Sequence, residues 1–576
     1  MTLVFLAFAL SQTQGRVPAR VVATTPADFT PAEQHAAVEL SDALTKMGQP
    51  AFNTPVGRAR IHLGWTLEAQ QDCKDIDPKS FGPDGFLIRE VKDHVYILGG
   101  RPRGVLNGVH RLLNLVGVRW WTPWAAEYPR KRITFTSLNL REEPTFEYRD
   151  PYWHAAFQPE WASRNVCNGF NENLRDEHGG GTVYEGFVHT YYALVDPKER
   201  FGIHPEWFSL IDGKRTAENA QLCTTNPELR KYVLEQVRTN LRNNPKATIV
   251  SVSQNDCFNP CQCDVCQALA REQGSQAAPV IALANYVADG IKDEFPNVAV
   301  DTLAYQWSRH APKSLKPKPN VIVRLCSIEG DFGTPLDRGR NATFAKDIRD
   351  WSQLTKRLYI WDYCTNFANY MQPMPDYLNI GPNLRFFAAN GGKGVFEEGD
   401  YNSEGGEMAE LKNWLMAQLL WNPQQDDRKL TDEFLRGYYG EPAAPSIRRY
   451  VELMAEAAAK SPVGFADRTD KPYLAWPVIR EADRLWIAAE LATKDPVKLA
   501  RIKRNHLGIQ YVILKRWDEF RKAALADGSI WTLATARTEA AQQWLAIAKS
   551  QLPDGTPAVT AVDEGGLTPE AFVARL

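Results

Sequence analysis

No stretch of this 576-residue chain beyond its first residues is apolar for anything like the ~20 residues a bilayer-spanning helix needs, so no membrane span is expected. Charge of one sign is also missing. Lys and Arg number 67 against 69 Asp and Glu, for a formal charge of −2, and no basic stripe appears, which argues against a nucleic-acid partner. The chain lacks a phosphate loop, a dinucleotide fingerprint and a His-Glu-x-x-His helix, so no cofactor is expected. A Gly-x-Ser-x-Gly elbow is absent too, which leaves serine-hydrolase chemistry unsupported. Aromatics, by contrast, are plentiful. Seventeen Trp and twenty Tyr are present, and flat rings with a polar edge suit stacking on sugar faces.

A chain of this length exceeds one ordinary core and divides into several units. Met1 to Leu10 is almost wholly apolar and runs into polar Ser11 to Gly15, which reads as an export signal over 1–15 and a secreted or periplasmic protein. Residues 16–143 read as an α/β unit, with a strand from Arg20, an amphipathic helix from Pro31 to Met47, a hairpin over 84–99 and a helix from Gly104 that stops at Gly117. Residues 443–576 carry apolar spacings of three and four and read as a helical domain, loosely held after Pro553.

Between them, over 144–442, five apolar bursts each end in a residue with acid, base or sugar-binding capacity. They are Thr248-Ile-Val-Ser-Val-Ser-Gln-Asn-Asp256, Val298 to Gln306, Val321 to Glu329, Leu358-Tyr-Ile-Trp-Asp-Tyr363 and Lys393-Gly-Val-Phe-Glu-Glu398, set apart by helix-length spacers. Parallel strands of a (β/α)8 TIM barrel would gather those tips at one face. The fold expected is therefore α/β: a TIM barrel with an N-terminal α/β domain and a C-terminal helical domain.

Glycoside cleavage needs a proton donor and a second group that attacks or stabilises the anomeric carbon. Asp256, Glu329 and Glu397 are the expected catalytic carboxylates. Glu397 and Glu398 must point opposite ways on a strand, so only one lines the pocket, and Glu398 is expected to pair with a cation. Trp361 and Tyr363 share a face and are expected to form a sugar platform, the alternative being packing against outer helices, while Asp362 or Asn366 would bind hydroxyls. Tyr305 completes another tip as an expected substrate-binding residue, and His189, in a long Tyr-rich loop that also carries Gly179-Gly-Gly181, is expected to bind a sugar hydroxyl, the alternative being an incidental loop histidine.

The cluster Cys257, Cys261, Cys263 and Cys266 permits two readings, disulfides pinning the loop or a zinc-thiolate knuckle, with Cys223 as an extra partner. The disulfide reading is preferred because paired Cys-x2-Cys spacing is absent. With no His beside them in sequence, these thiols are not expected to be catalytic.

Ala36-Ala-x-Glu-Leu40, the Asp84-Gly-Phe strand, Arg103-Gly-Val-Leu-Asn-Gly-Val-His110 and Gly117-Val-Arg-Trp-Trp-Thr-Pro123 resemble the domain that precedes the barrel in family 20 hexosaminidases and family 67 α-glucuronidases. His204-Pro-Glu-Trp-Phe208, Asp212-Gly-Lys-Arg215, Gln221-Leu-Cys-Thr-Thr-Asn-Pro227, Ser253-Gln-Asn-Asp256, Ile360-Trp-Asp-Tyr363, Gly394-Val-Phe-Glu397 and Leu419-Leu-Trp-Asn-Pro423 resemble the barrel family associated with glycoside hydrolase family 163.

The resemblance implies a glycan substrate and cleavage of a β-linked N-acetylhexosaminide. It implies retention of configuration, with the substrate's acetamido group as nucleophile. Asn255 and Asp256, placed at a fourth barrel strand, resemble the polar pair of substrate-assisted hexosaminidases, with Asn255 orienting the acetamido and Asp256 the acid. Trp207 would come to the pocket wall, unless its motif merely starts the third strand. The alternatives are an inverting α-glucuronidase-like enzyme, whose uronate carboxylate would meet Arg324 or Lys393, and a carbohydrate-binding barrel without catalysis.

Overall fold

The computed structural model describes residues 20–23, 29–48, 60–92, 94–130 and 137–576; the leader expected over 1–15 lies outside them. The leading unit is a five-stranded sheet in the order Arg20–Ala23, Arg60–Leu63, His94–Gly99, Phe86–Val91, Asn139–Glu142, parallel across the first three and antiparallel across the rest. Helix Pro31–Lys46 starts on a reciprocal cap: Glu33 N–H donates to Thr30 Oγ1 at 3.2 Å and Thr30 N–H to Glu33 Oε2 at 2.9 Å. It buries Ala36, Leu40 and Ala43. Helix Gly104–Leu115 lies close on the sheet because Gly108 has no side chain; a Cβ there would stand 2.5 Å from Ile97. The unit is clamped to the chain that follows it by Arg164 on Glu39, by Arg149 on Asp84, and by Arg103, whose Nη1 donates to Gly180 O at 2.9 Å.

The central sheet has seven strands, all parallel, in the order Tyr148–Tyr152, Gly392–Glu398, Leu358–Tyr363, Val321–Cys326, Ala299–Ala304, Ile249–Ser251, Tyr184–Glu185. Strands such as Val321–Cys326 are buried on both faces, which is why they read as continuous apolar runs. The sheet curls until its edges face one another, with the rings of Tyr148 and Tyr184 at 6.3 Å. The Arg324 guanidinium fills the space between, over the rings of Tyr148, Tyr184, Tyr359 and Phe396. Its neighbours fix which residues face inward: Tyr148, Asp301, Tyr359 and Phe396 do, and by alternation so do Tyr305, Trp361, Tyr363 and Glu398.

The structure corrects the expected closed eight-stranded barrel. Among the described residues the edge strands Tyr148–Tyr152 and Tyr184–Glu185 do not pair; an irregular segment around Asn168 lies between them. The Asn168 side chain acts as a ladder rung, accepting from Arg149 N–H at 2.9 Å and donating to Glu147 O at 2.9 Å. Its backbone N–H donates to Arg149 O, and its carbonyl accepts from Thr182 N–H. The segment 165–173 is rich in Asn and holds no β-branched run, so side-chain amides supply what a strand's backbone would.

Two further expectations change. The His204–Phe208 motif forms a tight turn over Pro205–Trp207, followed by the hairpin Leu210–Ile211 and Lys214–Arg215, outside the central sheet. The strand before Asp256 is therefore third, not fourth, in chain order.

Helices Asp264–Gln273, Ala277–Ile291, Ala342–Leu354, Ile380–Ala389 and Ala409–Trp421 cover the outer face. Downstream stand helices Ala444–Ala458, Trp476–Ala492, Pro496–Lys515, Trp517–Asp527 and Arg537–Ala548. The chain after Pro553 is not loose. Ala558, Val559, Ala561 and Val562 are buried, Tyr370 N–H donates to Val562 O at 2.8 Å, and Glu564 N–H donates to Phe367 O at 2.9 Å. The last segment thus folds back over the loops that follow the central strands.

Candidate active site

The ends of the central strands hold two sets of carboxylates, on opposite faces of the sheet. On the inner face, Glu398 ends strand Gly392–Glu398 and accepts a hydrogen bond from Trp361 Nε1 at 2.8 Å. Burial pushes its carboxyl up to about 8; the charges of Glu564 and Asp256 push the same way, and the Trp361 N–H opposes them. Asp256, exposed just past its strand, accepts from Tyr305 Oη at 3.2 Å, and Tyr305 in turn accepts from Gln306 Nε2 at 3.0 Å. A polar chain therefore runs along one side of the mouth while a buried carboxyl stands on the other.

Aromatic rings wall the space between. Trp361 stacks with Tyr363 at 6.0 Å and with Phe187 at 5.8 Å, so both platform residues face inward rather than toward the outer helices. Phe465, from the loop after helix Ala444–Ala458, approaches Tyr363 at 6.2 Å, and Tyr152 approaches Tyr401 at 5.2 Å. His189 sits beside Tyr305 at 5.9 Å. Its Nδ1–H donates to Gln254 O at 2.8 Å, which leaves Nε2 as an acceptor in the neutral ring. Val188 and His189 both have positive φ, +35° and +54°, backbone strain at the edge of the mouth.

On the outer face lie Asp362 and Glu397. Ser327 Oγ donates to Asp362 at 2.6 Å, and Cys364 Sγ lies 2.9 Å from Glu397 Oε2. Burial, then mutual repulsion with neighbouring acids, raises both: Asp362 to about 7 and Glu397 well above the carboxylate range. Asp376 and Lys412 pair close by at 2.7 Å. Alternation places one of each adjacent pair inside, and the inner member is Glu398, not the expected Glu397. Glu398 is not paired with a cation as expected; its partner is the Trp361 indole.

The other expected residues divide. Glu329 stands exposed at the rim, paired with Arg309 at 3.0 Å, and its charge reaches Tyr305 and Tyr363. Asn255 turns into the polypeptide, donating to Ala220 O at 2.9 Å and accepting from Tyr192 N–H. Trp207 is buried, stacked on His204 at 4.0 Å and packed on Tyr232, and Asn366 donates to Asp467 O. Arg324 is fully buried beneath the mouth and bonded to Asp301, while Lys393 stands exposed at the other end of its strand. Neither cation named for a uronate carboxylate reaches the mouth.

Sequence reasoning weighed Glu398 but preferred Glu397, and it missed Glu564. The first was within reach, since Trp361 and Tyr363 sort with Glu398 once strands pair Tyr363 with Glu398. The second had no local signal. Glu564 accepts from Tyr401 Oη at 3.0 Å, and its backbone O accepts from Asn402 Nδ2 at 2.8 Å, contacts spanning more than 160 positions. A shallow depression lined by Phe86, Arg111, Glu142 and Trp421 lies where the leading unit meets the residues that follow it, and holds none of the mouth carboxylates.

Of the cysteines, Cys223, Cys261, Cys263 and Cys266 bring their sulfurs within 4.8 Å of one another as free thiols, and Cys257 stands apart, facing Gln221 and Ala220.

A family model described as a domain of unknown function, DUF4838, matches residues 120–452. No curated protein matches. Among solved structures the chain is similar to a GH138 enzyme targeting pectin rhamnogalacturonan II, with a TM-score of 0.53 and 13% identity over 97% of both chains. It is also similar to a family 89 glycoside hydrolase from Clostridium perfringens in complex with 2-acetamido-1,2-dideoxynojirmycin, with a TM-score of 0.49 and 11% identity over 90% of this chain and 65% of that one. At 13% identity the likeness to the GH138 enzyme is one of fold.

Proposed function

We propose, from the premise that the chain belongs to the DUF4838 family, that it is a glycoside hydrolase whose acid is Glu398 and whose second acidic group is Asp256. One juxtaposition carries the reading: Glu398, buried and held by the Trp361 indole, and Asp256, exposed and held by Tyr305, stand at the same end of the sheet among the rings of Trp361, Tyr363 and Tyr305. A group with a pKa of about 8 keeps its proton at pH 7 and can hand it to a departing glycosidic oxygen.

The finer reading is cleavage of a β-linked N-acetylhexosaminide with retention, the acetamido oxygen attacking the anomeric carbon, by an enzyme like those of glycoside hydrolase family 163. Motif resemblance supports it, and so does the site. With Asn255 committed to the polypeptide, Asp256 with its Tyr305 partner is the group placed to hold the acetamido N–H. This exchanges the acid role first expected of Asp256 for one of orientation. The uronidase alternative is disfavoured by the position of Arg324 and Lys393. The proposal includes export, to where glycans are met.

The test is a panel of aryl β-N-acetylhexosaminides, aryl uronides and N-glycans with wild type, Glu398→Gln, Asp256→Asn and Glu397→Gln. Glu398→Gln and Asp256→Asn should each lower kcat/KM on the hexosaminide by roughly 10²- to 10⁴-fold. Glu397→Gln, an isosteric change on the outer face, should stay within a few-fold. Full activity in Glu398→Gln would remove it from the acid role.

A further inference from the structure

We propose that Cys223, Cys261, Cys263 and Cys266 form a tetrathiolate site for one zinc ion that braces the loop carrying Asp256. All four Sγ atoms lie within 4.8 Å of one another; Cys223 Sγ is 3.6 Å from that of Cys263 and 4.0 Å from that of Cys266. A tetrahedron with Zn–S bonds of about 2.3 Å requires sulfurs about 3.8 Å apart. A disulfide requires about 2.05 Å, and pairing any two of these thiols would leave the other two crowded against it.

The surroundings suit thiolates rather than packed thiols. Leu210 N–H points at Cys261 Sγ at 3.3 Å, Arg215 Nη1 lies 3.7 Å from the same sulfur, and Thr225 Oγ1 lies 3.1 Å from Cys266 Sγ. The guanidinium offsets part of the charge of two that four thiolates leave on a zinc ion. Cys263 caps helix Asp264–Gln273 and Cys266 lies in its first turn, where the helix dipole favours negative sulfur. Cys263 is half-exposed while the other three are buried, which gives an ion a way in.

Spacing alone left zinc and disulfides both open because the fourth ligand comes from another loop. Cys223 follows Gln221, whose side chain accepts from Asn255 N–H at 2.9 Å and donates to Asn255 O at 3.0 Å and Cys257 O at 2.7 Å. The ion would therefore tie the hairpin 210–215, the segment around 221–223 and the loop after Asp256 into one body.

The test is metal analysis of the full chain purified from zinc-supplemented culture, which reads the site independently of any glycosidase activity. About one zinc per chain is expected in wild type and in Cys257→Ser, and little in Cys223→Ser or Cys266→Ser. Wild type stripped under reductant and reloaded with Co²⁺ should show the intense visible bands of tetrahedral thiolate coordination, so the result stands even if a variant fails to fold. Wild type with substoichiometric zinc and no such bands, or a disulfide within these four residues in chain isolated without reductant, would overturn the proposal.

Discussion

Glu398 has the proton affinity its role requires because of where one strand's alternation puts it. Its neighbour Glu397 is buried too, yet meets Cys364 and Asp362 instead of the mouth. A carboxyl raised above its unfolded value binds a proton more tightly in the native state. Glu398 therefore contributes stability below about pH 4.5, loses it as pH climbs toward about 8, and changes nothing further above that. If it is the acid, kcat/KM should fall through an alkaline limb near pH 8, and Glu398→Gln should abolish that limb along with most of the rate. The Trp361 N–H favours the ionised form, so Trp361→Phe should move the limb to higher pH; a limb that stays or moves down would show that another group titrates there. Legibility differed sharply among these residues. The sequence placed Trp361 and Tyr363 on one face and showed that only one of Glu397 and Glu398 could join them. Choosing between the two needed strand register, a property of paired strands rather than of either one.

Among the elements, the parallel strands were the most legible part, because two covered faces force runs such as Val321-Ile-Val-Arg-Leu-Cys326 that few other contexts tolerate. The exceptions sit where a side chain replaces regular backbone. The gap beside strand Tyr148–Tyr152 is bridged by Asn168, whose buried amide makes two bonds that no periodicity reveals. Asn168→Ala would leave Arg149 N–H and Glu147 O without those partners, at a cost of about 1–3 kcal/mol each. Urea unfolding should show stability lowered by about 2–6 kcal/mol in total, through an earlier midpoint at an unchanged slope. A loss below about 0.5 kcal/mol would mean that water replaces the amide and that the gap is not held shut by it. The cysteine cluster was legible only in part: the sequence offered zinc or disulfides with Cys223 as an extra partner, but choosing between them needed the sulfur positions, since Cys223 arrives from 38 positions before Cys261.

At the scale of the whole molecule, the mouth is assembled from all along the chain, and its last wall comes from residues that sequence reasoning left as a loose tail. The chain after helix Arg537–Ala548 returns over the end of the central sheet, where Ser403 Oγ donates to Ala561 O at 2.7 Å and Glu564 meets Tyr401 at 3.0 Å. Glu564 lies beyond the matched family segment, which ends at 452, so this part of the site's electrostatics is added by the helical region. Its charge raises the Glu398 carboxyl, second only to burial among the effects that do so. Neutralising it removes a repulsion felt only by ionised Glu398, so Glu564→Gln should make Glu398 a stronger acid and draw the alkaline limb downward. Because Glu564 is exposed, the shift should be modest, within about one pH unit, and should shrink as salt screens the pair. Stability should scarcely change, since exposed charges contribute little to it. Comparing pH–rate profiles of wild type and Glu564→Gln at low and high ionic strength decides the matter. An alkaline limb that stays fixed at both salts would separate Glu564 from the acid and leave the returning segment as a cover only.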